Sequence, residues 1–235
     1  MLIEDRLKVL FRDVLYSKYQ RFFPPFGLRI LKRNFPNTGM KQIAVLDIGC
    51  GNHAPTRLRN VFPGAKYFGV DRASYNLTEE DLRSMDVFII LDLETNRISR
   101  YLEEGKFELI NFSHVIEHLD NGEEVLRQLR RLQPPKSLLY IETPSEESLH
   151  FVSRPGTLNF FDDPTHKRVY SLEEITNILR SENYLILKSG KRRDYRRILL
   201  FPLLACIFVI LGKRIPGPVV WDIIGFANYL LCLSV

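Results

Sequence analysis

Apolar residues recur at two spacings along the chain, and the change from one to the other marks its organisation. Near the start, Leu2, Leu7, Val9, Leu10, Val14 and Leu15 return at helical intervals with charges between them, which predicts an amphipathic helix to about Gln20. Pro24 and Pro25 stop it. Phe26 to Asn34 predicts a second helical piece ending near Pro36, and Asn37-Thr38-Gly39 reads as a loop. From Gln42 onward, short β-branched runs alternate with helical stretches: IAVLDI, a helix near residues 55–62, KYFGV, a polar segment, DVFII, a helix near residues 98–104, FELINF, a helix over residues 123–132, and SLLYIE. Such alternation predicts a mostly parallel sheet with crossover helices. A long loop over residues 144–164 follows, of a length that in compact domains usually carries function. Ser171-Leu-Glu-Glu174 is a capping-box pattern opening a helix to about Glu182. Residues 184–188 predict a sixth strand and residues 228–235 a seventh.

Composition adds little beyond a globular class, because 45% hydrophobic and 26% charged residues over 235 positions are ordinary for a folded domain. Charge placement is more informative. Residues 188–197 hold Lys188, Lys191, Arg192, Arg193, Arg196 and Arg197 against Asp194 alone, which accounts for the whole net charge of +5. The rest of the chain is balanced, which argues against a nucleic-acid-binding surface, since that needs basic residues spread through the fold. Cys50, Cys206 and Cys232 show neither a disulfide framework nor zinc-ligand spacing. A reducing cytoplasm is the expected setting. The N-terminus lacks the basic start and unbroken apolar stretch of a signal peptide. The longest apolar run, residues 198–211, is interrupted by Pro202 and falls short of the roughly 20 residues needed to span a bilayer.

The chemistry begins at Val45-Leu-Asp-Ile-Gly-Cys-Gly-Asn-His-Ala54. A strand running into Gly49-x-Gly51 lets backbone approach a nucleotide-like ligand closely, beside the N-terminus of the next helix. With Asp71 twenty residues after Gly51, the spacing also fits a dinucleotide fingerprint. Asp47, inside the first strand, and Asp92, after the third, argue the other way. A carboxylate at Asp47 repels a pyrophosphate and suits a cationic ligand. An NAD-dependent oxidoreductase is therefore the lesser alternative. A cofactor-binding scaffold without catalysis is a further one.

These residues resemble the class I S-adenosylmethionine-dependent methyltransferases over residues 42–188: VLDIGCG their first motif, FGVDR the second-strand motif, IILDLE the adenine-side motif, and FELINFSHVIEHLDN the fourth strand with its helix. The resemblance implies a Rossmann-like α/β fold. Its mostly parallel seven-stranded sheet would carry an N-terminal helical cap over the cofactor cleft (residues 1–40), a cofactor-binding core (41–190) and a basic, apolar C-terminal helical insertion before the last strand (191–235). It implies S-adenosylmethionine as cofactor. Asp47, Gly49 and Gly51, with Cys50 as a small residue between the glycines, would shape the methionine end. Asp71, followed by Arg72, would accept from the ribose hydroxyls, Asp92 and Leu93 would border the adenine, and Ser113 and His114 would lie beside the methionine moiety. The chain departs from the pattern at His53, where many members carry a third glycine.

A second segment, Phe161-Asp-Asp-Pro-Thr-His-Lys-Arg-Val-Tyr-Ser171, joins the long loop to the capped helix and so belongs near the carboxyl ends of the strands. It resembles a segment of bacterial methyltransferases associated with cell-surface glycans and lipopolysaccharide. The acceptor that this implies is a saccharide oxygen, on a glycan carried by a lipid. Methylating a hydroxyl requires removal of its proton, which makes His166 a candidate base, with His118 of Ile-Glu-His-Leu the second. The plain alternative is that His166 only ties the loop to the helix while Arg168 pairs with Asp163. Adjacent Asp162 and Asp163 point to opposite sides of an extended chain, so no metal site is expected. For residues 188–211 two expectations stand: peripheral contact with the inner face of a membrane, or burial of the apolar run with the basic residues as a solvated edge. The oligomeric state is not legible.

Overall fold

A computed structural model describes residues 24–35, 42–51, 53–153, 159–210 and 217–235. The helix expected before Gln20 and the loop at Asn37-Thr38-Gly39 fall outside these. Helix α1 (Phe26–Asn34) is followed by strand β1 (Ala44–Ile48), α2 (Ala54–Val61), β2 (Lys66–Asp71), α3 (Glu79–Ser84), β3 (Val87–Ile90), β4 (Leu109–Ser113), α4 (Gly122–Arg131), β5 (Leu138–Pro144), α5 (Leu172–Ser181) and β6 (Tyr184–Lys191). Three further helices, α6 (Tyr195–Leu199), α7 (Phe201–Ile210) and α8 (Gly217–Ile224), precede β7 (Ala227–Ser234). The seven strands form one sheet in the order β3-β2-β1-β4-β5-β7-β6. β1 to β5 pair in parallel, and β7 runs antiparallel to both of its neighbours.

The strands read as continuous apolar runs because both faces of the sheet are covered. On one face Leu46, Ile48, Val70, Ile110 and Phe112 meet Val125, Leu126 and Leu129 of α4 and Ile175 and Leu179 of α5. On the other, Val45, Tyr67, Leu109, Tyr140 and Leu231 meet Leu28 and Leu31 of α1 and Leu58 of α2. α1 thus lies on the sheet, with Phe26 edge-on to Tyr229 at 4.9 Å. None of its residues lines the cleft described below, so the described part of the expected cap covers a sheet face and not the ligand site.

Three elements differ from the sequence expectation. The polar segment after β2 contains α3, nucleated by a capping box in which Thr78 Oγ1 accepts from Asp81 N and Asp81 Oδ2 accepts from Thr78 N. Residues 98–104 give only a 3₁₀ turn at Ile98–Arg100, whose first amide donates to the Gln128 side chain. At Ser171 only half of the expected capping box forms: Ser171 Oγ accepts from Glu174 N, while the Glu174 carboxylate turns to Arg168. That pairing also replaces the Arg168–Asp163 pair.

The carboxyl of Asp47 is buried between strands, accepting from Tyr67 Oη and from Asn111 Nδ2, both at 2.6 Å. Opposite it on β2 stands Gly69. Burial pushes the Asp47 carboxyl up to about 6, against the lowering effect of those two hydrogen bonds. A folded-state pKa above the ordinary 3.8 means that the group's contribution is complete below about pH 3.8 and is lost as pH rises through 6. Urea unfolding at pH 4 and pH 7 is expected to show the wild type losing on the order of 3 kcal/mol more than Asp47→Asn over that interval. Equal losses in the two proteins would refute the assignment.

Candidate functional site

A cleft of about 260 Å³ opens at the carboxyl ends of β1 to β4. This is where the strand order reverses between β1 and β4, the switch point at which open α/β sheets bind ligands. Gly49 and Gly51 form its β1 side, the segment from Asp71 to Asn76 its β2 side, Leu91 to Glu94 its β3 side, and His114, Val115, His118 and Leu119 its β4 side. Asp163 and Thr165 reach in from the loop after β5.

The turn after β1 requires glycine. Gly49 has φ +73°, and a Cβ there would stand 2.3 Å from Val115 Cγ2. Gly51 N donates to Asp71 Oδ2 at 3.1 Å, and a Cβ on Gly51 would sit 3.4 Å from that same oxygen, crowding the approach to the carboxylate. His53 takes φ +62°, a left-handed conformation in which glycine is the usual occupant. Its ring is anchored by Asp81, fully buried, at 3.0 Å. Thr56 and Thr78 bond the same carboxylate, and these bonds with His53 outweigh burial to hold Asp81 down at about 2.

A family model described as a methyltransferase domain matches residues 16–189. The chain belongs to the methyltransferase-domain family. It is an enzyme of that kind, with S-adenosylmethionine as methyl donor. Solved structures of similar fold include an S-adenosylmethionine-dependent methyltransferase from Mesorhizobium loti, 15% identical with TM-score 0.63 over 90% of this chain and 99% of that one. One from Archaeoglobus fulgidus is 20% identical, with TM-score 0.55 over 93% and 99%. A phosphoethanolamine N-methyltransferase from Haemonchus contortus, solved with S-adenosylhomocysteine and phosphomonomethylethanolamine, is 17% identical, with TM-score 0.60 over 88% of this chain and 52% of that one. No curated protein matches the sequence.

In this methyltransferase Gly49, Gly51, Asp71, Arg72, Asp92, Leu93, His114 and His118 all line the cleft. Asp71 Oδ1 also accepts from Ala73 N, at 3.3 Å. Asp92 is exposed at the rim, where Oδ1 accepts from Glu94 N at 2.9 Å in a turn. Four expected site residues are not in the lining. The Asp47 carboxyl is held between strands, as above. Cys50 is fully buried with its side chain near Gly69, and burial, reinforced by Asp47 and Asp71, pushes its thiol far up. Ser113 lies within β4, one residue short of the lining. His166 stands behind His118, ring centroids 4.8 Å apart, and its other side stacks on Phe160 at 4.6 Å.

The segment carrying His166 is docked firmly. Lys167 N donates to Glu117 O, Lys167 Nζ bridges Glu94 and Asp120, and Tyr170 Oη donates to Leu119 O. His118 Nδ1 meets Thr165 O at 3.1 Å.

Glu117, Glu142 and Asp222, which sequence reasoning missed, join His114, Arg192 and Arg197 in a buried ionic chain behind the cleft. His114, at φ +55°, places Nδ1 3.0 Å from Glu117 and Nε2 3.1 Å from Glu142. Burial alone would lower the pKa of the ring, but the two carboxylates outweigh it and raise it to about 9, so it stands as imidazolium. Glu142 is also buried and receives Arg192 at 2.6 Å and Tyr140 Oη at 2.5 Å; Arg192 and His114 hold it well below the usual range despite its burial. Arg192 continues to Asp222 at 2.9 Å, and Asp222 to Arg197 at 3.0 Å. Arg192 and Arg197, expected at a lipid face or a solvated edge, are 6% and 5% exposed. A legible signal was Glu142 itself, an acid at the end of the apolar run SLLYIE. Removing one partner from such a chain leaves buried charge uncompensated. Arg192→Met is expected to destabilise by about 3–5 kcal/mol. Calorimetry should then show the unfolding midpoint falling by roughly 6–20 °C; an unchanged midpoint would refute the pairing.

Proposed function

We propose that this methyltransferase methylates a hydroxyl oxygen of a saccharide, carried on a lipid at the inner face of a membrane. The observation that carries the acceptor class is the polar wall of Glu94, His118, Asp163 and Thr165, which offers hydrogen-bonding groups suited to a hydroxyl-rich ligand. The resemblance of the segment around Asp163-Pro-Thr-His166 to glycan-associated methyltransferases supports the same reading.

The residues present suit S-adenosylmethionine. Asp71 would accept from the two ribose hydroxyls, because each of its oxygens receives one backbone N–H and a carboxylate oxygen has two lone pairs. Arg72 follows it at the rim, Leu93 would pack on the adenine with Asp92 beside it, and the bare backbone of Gly49 and Gly51 would admit the methionine end near His114. The bound cofactor supplies an electrophilic methyl on a sulfonium. The chain aligns the attacking oxygen with that methyl, so positioning accounts for most of the acceleration. The imidazole pair His118 and His166 stands where the acceptor's proton must leave, with His118 the one that reaches the cleft.

Lipid attachment of the acceptor rests on the C-terminal helices. Ile210 is 82% exposed and Leu199 81%, with Leu203 and Val209 also outward, so this face of α6 and α7 presents apolar surface. No helix among the described residues is long and apolar enough to cross a membrane. A shallow interfacial seat suits such a surface. Lys188, Arg193 and Arg196 remain exposed beside it, while Arg192 and Arg197 are committed inside. Buried apolar area is therefore the main attraction and charge the lesser.

Three expected outcomes test this reading. Calorimetry should show S-adenosylhomocysteine binding without NAD binding, and Asp71→Ala should weaken it by tenfold or more, because two charge-assisted hydrogen bonds are worth about 1.5–3 kcal/mol each. With labelled donor, a glycan acceptor should gain a methyl ether; NAD binding without S-adenosylhomocysteine binding would overturn the reading. Vesicles containing anionic lipid should float the protein at low salt, with most binding retained at high salt, and Leu203→Glu should abolish it. No flotation at low salt would remove the membrane from the proposal.

A further inference from the structure

Glu117, His118 and His166 lie close together: a potential ligand atom of each lies within 4.8 Å of the others. The orientation of the two rings is specific. His118 Nδ1 faces the Thr165 carbonyl at 3.1 Å, and His166 Nδ1 faces the Phe160 carbonyl at 2.6 Å. A carbonyl only accepts, so Nδ1 of each ring carries a hydrogen and the neutral ring has its lone pair at Nε2. Thr165 Oγ1, 3.0 Å from His118 Nδ1, fits the same tautomer, since its hydroxyl donates to Asp163 Oδ1 at 2.6 Å. An imidazole with one nitrogen tied to a backbone carbonyl and the other left with its lone pair is the arrangement found at metal ligands.

The carboxylate completes the set. Glu117 is fully buried, and its two oxygens meet His114 Nδ1 and, at 3.3 Å, Thr143 Oγ1. Those bonds orient it while leaving lone pairs for a cation. Asp163 Oδ2, 4.0 Å from His166 Nε2, is a further oxygen at the edge of the group. We propose that Glu117, His118 and His166 bind a divalent first-row transition cation, with open positions facing the cleft through His118, Asp163 and Thr165.

Two nitrogens and one carboxylate with open positions form the donor set of catalytic zinc and non-haem iron sites, and imidazole favours such metals over magnesium or calcium. Ligands of one such cation stand about 3–4.4 Å apart at bond lengths of about 2.0–2.2 Å. Metal entry therefore draws the three groups inward by an ångström or so. This site departs from the sequence expectation of no metal, because His166 lies 48 residues beyond His118 and only folding brings it to the Glu117-His118 pair. Its existence is independent of the acceptor reading, but its use rests on it. An acceptor hydroxyl bound to the cation loses its proton to water more readily. The oxygen then forms a bond to the methyl carbon as the carbon–sulfur bond breaks, giving a methyl ether and S-adenosylhomocysteine.

The test uses the full chain, stripped with chelator and titrated with Co²⁺, following visible absorption and calorimetry, with S-adenosylhomocysteine binding measured on the same sample. One equivalent should bind with the absorption of nitrogen–oxygen ligation. His118→Ala and His166→Ala should each weaken it by at least about tenfold, a loss seen even for outer partners of metal ligands. His150→Ala, an exposed histidine outside the cluster, should not change it. Thermal melts establish that each variant is folded, and the absorption of the unaltered chain tests the site without any variant. Failure of the folded wild type to bind Co²⁺ saturably, or wild-type affinity in both histidine variants, overturns the metal site. If that failure comes with normal S-adenosylhomocysteine binding, the methyl-transfer reading stands. Co²⁺ bound without S-adenosylhomocysteine supports the site and overturns that reading.

Discussion

A carboxylate enclosed at the end of a parallel strand must be neutralised where it stands, and Glu142 imposes that demand on this fold. Every residue of β5 is buried, so no water can solvate the charge. His114 comes to it from β4, Tyr140 from two residues earlier on its own strand, and Arg192 from beyond β6. Arg192 brings a second buried carboxylate, Asp222, which in turn requires Arg197. Desolvation is tolerable only because the partners complete one another. The arrangement therefore joins the rim of the cleft to the C-terminal helices through a single run of opposite charges. His114 gains its orientation from it, with Trp221 of α8 against its ring at 5.3 Å.

The C-terminal appendage consequently has two unlike sides. Inward, Asp194, Arg197 and Asp222 are buried, and Arg29 of α1 reaches Asp194 at 2.6 Å. Outward, α7 is apolar along its length and exposes Leu203, Val209 and Ile210. A helix of that composition is more often found inside a domain. Here the inner position is taken by ions. This division gives a structural reason for placing the membrane-facing role of the proposal on apolar area and leaving the guanidinium groups to hold the fold.

The acceptor side follows a similar economy of contacts. Lys167 and Tyr170 fix the segment after the long loop to the turn following β4. Once that segment is seated, the rings of His118 and His166 stand 4.8 Å apart, tilted by 52°, with Glu117 close by, and Asp163 and Thr165 enter the cleft. Residues separated by dozens of positions thereby form the polar wall of the cleft on which the proposed acceptor rests.

Much of the β1 and β2 side of the cleft was legible in the chain. Gly49, Gly51 and Asp71 lie at strand ends whose position follows from local periodicity, and a left-handed turn with a carboxylate after the next strand can be inferred from spacing alone. The strand count, α1, α2, α4 and α5 were legible for the same reason, since the spacing of apolar residues is a property of neighbours in sequence. α3 was read only as a polar segment, although Thr78 and Asp81 stand at the spacing of a capping box. What sequence left open was direction and partnership. Asp47 alternates to the face of β1 where Tyr67 and Asn111 wait, and Cys50 turns into the core, neither of which spacing reveals. The basic cluster looked like one feature, yet burial of Arg192 and Arg197 depends on Glu142 and Asp222, at least 25 residues away in the chain. His118 and His166 were candidates singly, and only the tertiary structure set their rings together with Glu117. Local propensity is written residue by residue, whereas the pairing of buried charges and the convergence of ligand atoms exist only once distant segments share the same few ångströms.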